Sequence, residues 1–315
     1  MFEVDLLWMN MAALAFALFL DIAFGDPPNI AHPVAYMGKL IALLERISPK
    51  TNRLAQLVYG FLMALIIPAI AAAGGYFLSL AVRDLHPTVY IAVMGTALKL
   101  CFSVRGLGIS ALSVKHELAR NDIKYRKSLT ALVSRDTSNL SPTQVASAAV
   151  ESVAENTTDS FVAPWLYFAL LGLPGVLAYR AINTLDSMIG YRGKYEYLGK
   201  VSACVDDILN FIPARLSALI IVVVSRFRQF NSRRALHLVF SEGHSTSSPN
   251  AGLTMAAMAG ALGITLEKVG YYCLGSGLRK PEYEDIEDSV KVMYLVAATV
   301  FILIEIAMMV VYVAV

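Results

Sequence analysis

Apolar residues along this chain fall in long runs separated by polar stretches. Leu6 to Leu20 carries no charge, and the run continues past Asp21 to Phe24, which predicts a first membrane helix. Leu54 to Val82 is uncharged throughout and long enough to span with tilt or overhang, with Pro68 placed to kink it. Pro87 to Val104 is a third candidate, interrupted only by Lys99. Phe161 to Tyr179 is uncharged but holds Gly172-Leu173-Pro174-Gly175, a breaker. It is either one kinked span or a re-entrant hairpin. Ile208 to Ser225 is apolar except for Arg215, and Met293 to Val315 is a last helix with Glu305 inside it. The runs are rich in Ala, Leu and Met and do not alternate with period two, so strand signals are weak. We expect an all-α, polytopic integral membrane protein with about 4–6 membrane helices and cytoplasmic helical loops. No Pro/Ser/Gly-rich linker or internal repeat divides residues 1–315, which reads as a single membrane-embedded domain.

Four polar stretches lie between the runs: 25–53, 105–160, 180–207 and 226–291. The second is the most basic, with Arg105, Lys115, Arg120, Lys124, Arg126, Lys127 and Arg135, and the positive-inside rule puts it in the cytoplasm. Stretch 25–53 shares that side if 54–82 and 87–104 form a hairpin. Parity of the later stretches stays open.

Composition supports a lipid environment. Hydrophobic residues are 57% and charged residues 16%, with a mean hydropathy of +0.59; an ordinary soluble domain carries about 25% charge. The net charge of +2 gives no reason to expect nucleic acid. Glu3 and Asp5 precede the first apolar run without any Lys or Arg, so a retained helix is expected there and not a signal peptide. Cys101, Cys204 and Cys273 are odd in number and far apart, with no CxxC, and read as small buried apolar residues.

The polar stretches also hold candidate chemistry. Ser141-Pro142-Thr143-Gln144 is a helix start with a capping box. Glu151, Glu155 and Asp159 follow at i, i+4 and i+8, which puts three carboxylates on one helical face, with Asn156 beside them. Like charges at that spacing repel, and a divalent cation would relieve them. Oxygen-only ligands suit Mg²⁺; a solvated acidic face is the equal alternative. Asn183 with Asp186, and Asp206-Asp207 with Asn210, repeat the pattern. Arg215 lies inside an apolar run and faces either a polar interior or an internal carboxylate that only fixes packing. Arg135, Arg180 and Arg192 are bidentate donors for phosphate or carboxylate, or simply cytoplasmic positive charge. Ser248-Pro249-Asn250-Ala251-Gly252 opens an apolar helix, offering N–H groups to an anion or an ordinary N-cap. The five histidines lack ligand spacing, Glu282 to Asp288 reads as a solvated acidic loop, and there is neither a P-loop nor a GxGxxG motif.

Several motifs together resemble one known family. Gly25-Asp26-Pro27-Pro28 with His32-Pro33-Val34 and Met37-Gly38 is similar to the opening of the CobD/CbiB family, the adenosylcobinamide-phosphate synthases of cobalamin biosynthesis. Ser134-Arg135-Asp136-Thr137 continues the likeness. It is strongest at Glu151-Ser152-Val153-Ala154-Glu155-Asn156-Thr157, followed by Asp159 and Ala163-Pro164. Asn183-Thr184-Leu185-Asp186, Gly190-Tyr191, Asp206-Asp207, Pro213-Ala214-Arg215 and Ser248-Pro249-Asn250-Ala251-Gly252 follow in the family's order, over roughly residues 6 to 280. Ser160 stands after Asp159 where Gly is expected.

The resemblance implies an activity: amide formation between adenosylcobyric acid and (R)-1-aminopropan-2-ol or its O-phosphate. ATP and Mg²⁺ drive it at the cytoplasmic membrane, with the site facing the cytoplasm. In that frame Glu151, Glu155 and Asp159 bind Mg²⁺, with Asp206 and Asp207 as a second cluster. Asn156, Asn183 and Asn250 orient substrate; Arg135, Arg192 and Arg215 face phosphate or propionate. Asp26 and His32 also bind substrate, and Glu151, Glu155 and Asp186 are the catalytic candidates, Asp186 as base. The partners implied are the corrinoid, the amino alcohol, membrane lipid and other cobalamin-assembly membrane enzymes. A membrane transporter and an AmpE-like non-catalytic sensor are the alternatives.

Overall fold

Caps and prolines set where the helices begin. The computed structural model describes residues 2–28, 32–191, 193–227 and 230–314. After α1 (Phe2–Phe24), the His32 ring accepts the Val34 N–H and Pro33 opens α2 (Pro33–Ile47). Asn52 caps α3 (Arg53–Arg83), and His86 with Pro87 starts α4 (Pro87–Lys99). Next come α5 (Arg105–Ala119) and the short α6 (Tyr125–Leu129). The expected capping box is formed at α7 (Pro142–Thr157): the Ser141 hydroxyl accepts from Gln144 N–H, and the Gln144 side chain accepts from Ser141 N–H. A π turn (Thr158–Val162) leads into α8 (Ala163–Ile189). Then follow α9 (Lys200–Leu209), α10 (Phe211–Val224), α11 (Ser232–Glu242) and α12 (Ala251–Leu262). Two three-residue strands, β1 (Leu266–Lys268) and β2 (Tyr272–Leu274), pair antiparallel with Lys268 opposite Tyr272, before the closing α13 (Tyr283–Ala314).

The chain forms two compact units, each built from separate stretches: 1–103, 163–209 and 303–315 make one, and 104–162 and 210–302 the other. All four crossings fall within helices or at tight joints between them, so no linker composition marks them. In the first unit Ile41, Met63, Ile67, Ile182, Leu185 and Ile189 form a core of α2, α3 and α8 side chains. In the second, every residue from Gly252 to Leu262 is buried; a helix apolar on all sides needs that protein surround.

The protein is an all-α polytopic membrane protein. Four helical stretches are long and apolar enough to cross a bilayer: Leu6–Phe24, Arg53–Arg83, Pro142–Ile189 and Tyr283–Ala314. A fifth is added if the bent pair Lys200–Leu209 and Phe211–Phe227 counts as one. The run at 87–104 is not among them. It yields only the 13 residues of α4, about 20 Å of helix against a hydrocarbon core of about 30 Å. Lys99, its last residue, is drawn into a buried ion pair, described below.

The Gly172 breaker is a hairpin. Gly172 has φ 64° and ψ −158°, and beyond it the helix turns back. Tyr167 and Tyr179 stack with ring centroids 5.1 Å apart, whereas twelve residues of straight helix would separate them by about 18 Å. A Cβ on Gly175 would lie 3.0 Å from the Tyr167 carbonyl oxygen, a contact open only to antiparallel arms. Arms 163–171 and 173–189 therefore fold on each other. The tip packs on α3, where a Cβ on Gly75 would sit 2.9 Å from Pro174 N.

Two local expectations are corrected. The acidic run at 282–288 is not a solvated loop: α13 begins at Tyr283, ten residues before the expected start. Asp285, buried, takes a forked pair from Arg279 at 2.7 and 2.5 Å and the Glu282 N–H at 2.8 Å. An acid in a helix's first turn meets its positive dipole end. Of the cysteines, only Cys101 is buried; Cys204 and Cys273 are exposed.

Candidate active site

Helix α7 presents Glu151 from a buried face, and three neighbours orient its carboxylate. Ser147, one turn earlier, donates its hydroxyl to Oε1 at 2.7 Å. The same hydroxyl oxygen accepts the Glu267 N–H at 2.9 Å, which ties β1 to α7. Tyr272 on β2 donates its phenol to Oε2 at 2.9 Å. Arg135 reaches Oε2 at 3.4 Å, longer than the usual 2.7–2.9 Å of a charge-assisted bond. Its Nε is buried and has no hydrogen-bond partner among the described residues. The segment before Arg135 is anchored on α7 by Ser152, whose hydroxyl donates to the Leu132 carbonyl at 2.7 Å.

These groups open on a cavity of about 140 Å³ lined by Ser134, Arg135, Glu151, Glu155, Lys268 and Tyr272, among others. Burial pushes the Tyr272 phenol up, and the Glu151 charge and hydrogen bond push it further, with Arg135 opposing. Tyr272 therefore stays a donor across the physiological range. The cavity combines two carboxylates, two cations and a fixed hydroxyl, a set suited to holding a phosphoryl group and a hard cation.

The other candidates of this unit lie elsewhere in it. Asn156 is bonded within its own helix, donating to the Ser152 carbonyl at 2.9 Å and hydroxyl at 3.1 Å. Asp159 stands on the π turn, two residues past the end of α7, so the i, i+4, i+8 face is not continued as α-helix. Arg215 and Asn250 form a pair: the guanidinium donates to Asn250 Oδ1 at 3.1 Å and to the Phe211 carbonyl at 2.8 Å, and lies 3.4 Å above the Phe211 ring. At the start of α12 the Ser248 hydroxyl accepts from the N–H groups of Asn250 and Ala251 at 3.2 and 3.4 Å, so two of the N–H groups offered to an anion are met by the chain itself.

A second polar cluster sits in the other unit. Lys99, buried, places its ammonium 2.8 Å from Asp21 and 2.6 Å from Asp26, and donates to the Phe102 carbonyl at 3.2 Å. Ser103 donates to the second Asp26 oxygen at 2.5 Å. The loop that carries Asp26 is thus held by α4 and the residues after it. Burial lowers the His32 pKa; Arg180 and Lys99 lower it further, while Asp26 opposes them. Arg180 donates to Asn183 Oδ1 at 3.1 Å, and Asn183 donates to Asp206 at 3.4 Å. The structure therefore brings Asp26, His32, Asn183 and Asp206 into one neighbourhood through Lys99 and Arg180. Asp207 follows Asp206 on α9, and Asp186, on α8, has its Oδ1 over Gly190, where a Cβ would lie 2.0 Å from it. Arg192 lies outside the described residues.

For Mg²⁺ the donor set supports a limited role. Among the described residues no three carboxylates, imidazoles or thiols come together as a cation cage, so the expected three-carboxylate set of Glu151, Glu155 and Asp159 is not assembled. Mg²⁺ commonly needs only one or two carboxylates with substrate phosphates and water. Glu151 and Glu155, in the same cavity, meet that lesser requirement.

Residues 14–302 match the family described as CobD/Cbib protein. The chain belongs to this family. It is 50% identical to the "Cobalamin biosynthesis protein CobD" of Dehalococcoides mccartyi over 264 residues, 84% of this chain and 86% of that protein. It is 40% identical to the "Probable cobalamin biosynthesis protein CobD" of Methanococcus maripaludis strain C7, covering 85% and 90%. To the protein so named in Methanothermobacter thermautotrophicus it is 37% identical, covering 91% and 94%. No solved structure matches the chain.

Family motifs pointed to Arg135, Glu151 and Asp26 but not to the groups that position them. Lys99 and Asp21 look like isolated charges in apolar runs; their costliness in such a run was the one available signal. Tyr272 and Lys268 stand on strands too short to show periodicity.

Proposed function

We propose that this chain acts in cobalamin biosynthesis, the process named for its relatives, as an ATP-dependent ligase. It joins the propionate carboxylate of adenosylcobyric acid to (R)-1-aminopropan-2-ol or its O-phosphate. The observation that carries this reading is the α7 cavity, where Lys268 and Arg135, whose Nε has no hydrogen-bond partner among the described residues, stand beside Glu151 and Glu155.

A carboxylate does not accept an amine in water at neutral pH without activation. Transfer of the terminal phosphoryl group of ATP to a propionate oxygen gives an acyl phosphate and ADP. The amine nitrogen then attacks the acyl carbon, the C–O bond to phosphate breaks, and inorganic phosphate leaves. Arg135 and Lys268 counter the charge on the transferring group, and Tyr272 and Ser147 hold the Glu151 carboxylate in place beside them. Glu155 with Glu151 would hold Mg²⁺ together with the nucleotide phosphates, where the ion supplies further charge neutralisation. Asn250 and Arg215, in the same unit as the cavity, are assigned as substrate-orienting groups. The basic stretch from Arg105 to Arg135 supports a cytoplasmic face, the side that holds ATP.

Purified protein in detergent, given Mg·ATP, adenosylcobyric acid and the amino alcohol, is expected to form the amide with no other protein present. Glu155→Gln is expected to abolish product while the variant still inserts in the membrane. Wild-type turnover in that variant removes the assignment. Gradient-driven uptake into vesicles without any product would point to a transporter.

A further inference from the structure

A second, larger cavity lies in the unit that contains the hairpin. It measures about 450 Å³, is open to one side, and is bounded by α1, the end of α3, α4 and the hairpin tip at 169–174. Its walls are largely apolar, with Leu6, Leu80, Met94 and Leu171 among them. Its polar groups are mostly satisfied: Tyr90 donates to Asn10 Oδ1 at 2.7 Å, and Ser79 donates to the Gly75 carbonyl at 2.8 Å. Arg83 is the exception. It is exposed and makes no hydrogen bond or ion pair among the described residues, and none of the described residues that line the cavity is a carboxylate.

Depth decides what such a cavity can meet. Helix α3 has 31 residues from Arg53 to Arg83, about 46 Å of helix for a hydrocarbon core of about 30 Å. Its two terminal arginines therefore reach the polar layers on opposite sides. Arg83 stands at head-group depth, with the apolar part of the cavity next to it. Tyr76, about 10 Å deeper along α3, and the buried Tyr90 also line the cavity.

We propose that this cavity binds one phospholipid, the head-group phosphate on Arg83 and the acyl portion against the hairpin tip. A guanidinium matches a phosphodiester oxygen pair, and an apolar cavity at the bilayer edge excludes a free hydrated anion. Occupancy would also brace the 169–174 turn, whose Leu170 and Leu171 are otherwise exposed.

The test is native mass spectrometry of the full chain in detergent, with phosphatidylglycerol added and its retention counted. Wild type is expected to keep one lipid per chain. Arg83→Gln, a change at an exposed side chain, is expected to weaken retention about tenfold, the scale of one charge-assisted contact. Ala169→Phe fills the cavity with Arg83 intact and is expected to lose the lipid as well; circular dichroism checks that it keeps its helices. The proposal is overturned if wild type keeps no lipid, or if Arg83→Gln keeps as much as wild type. Displacement by inorganic phosphate would assign Arg83 to a free anion and also overturn it.

Discussion

The two units each hold a set of carboxylates around a cation, and the sets behave oppositely. Around Lys99 the ammonium is saturated. One ammonium meets Asp21, Asp26 and a carbonyl, with the Asp21 side chain fully buried and that of Lys99 5% exposed. Around Arg135 the pairing is loose. Glu151 is 3.4 Å away, Nε has no partner among the described residues, and a cavity opens beside them. A buried charge must find its partners inside the protein, so the first set holds the Asp26 loop. A charge at a cavity wall keeps donors for a ligand. Residue type does not distinguish the two; saturation of the donors does.

The comparison is broken most forcefully by Lys99→Met. Two carboxylates lose their cation, and removing one partner of a buried pair costs roughly 3–5 kcal/mol. The thermal midpoint in detergent is expected to fall sharply. If the midpoint holds while amide formation disappears, Lys99 serves chemistry and the contrast fails. Tyr272→Phe comes next. It removes a donor to a carboxylate, an effect of roughly 1.5–3 kcal/mol, expected as a ten- to hundredfold loss in kcat/KM by the usual conversion with little change in midpoint. A large midpoint shift would make Glu151 a structural group like Asp21.

The smallest effect is the pH response of His32. Its folded pKa lies below the ordinary 6.5, chiefly through burial. Folding therefore favours the neutral ring, whose Nδ1 accepts the Val34 N–H. The stabilisation is present above pH 6.5 and is lost as pH falls below it. Midpoints measured at about pH 7.5 and about pH 5.5 are expected to differ in wild type and to converge in His32→Asn, which caps without titrating. An equal slope in both proteins would place the pH response elsewhere.

Much of the architecture was legible before any coordinates. The capping box at Ser141 and the apolar run at 54–82 are local signals and formed as read. Motifs carried the family and, with it, Glu151, Glu155 and Arg135, two of which meet directly and all of which line one cavity. What failed was non-local. The run at 87–104 read as a span because Lys99 counts as one charge in a window, and nothing nearby shows that Asp21, 78 positions earlier, will receive it. The acidic run at 282–288 read as a loop because the Arg279 fork that buries Asp285 is a matter of geometry.

Sequence alone determined that the chain is helical, lives in a bilayer and belongs to its family, because apolar run length and motif order are properties of neighbouring residues. Tertiary structure decided three other things: that the chain turns back at Gly172, that Lys99 is spent on Asp21 and Asp26, and that Arg135 meets Glu151 through one long contact and leaves its Nε without a partner among the described residues. Each depends on which distant atoms come within hydrogen-bonding or packing distance, and in a low-dielectric interior that proximity alone sets whether a charge is a strut or a reagent.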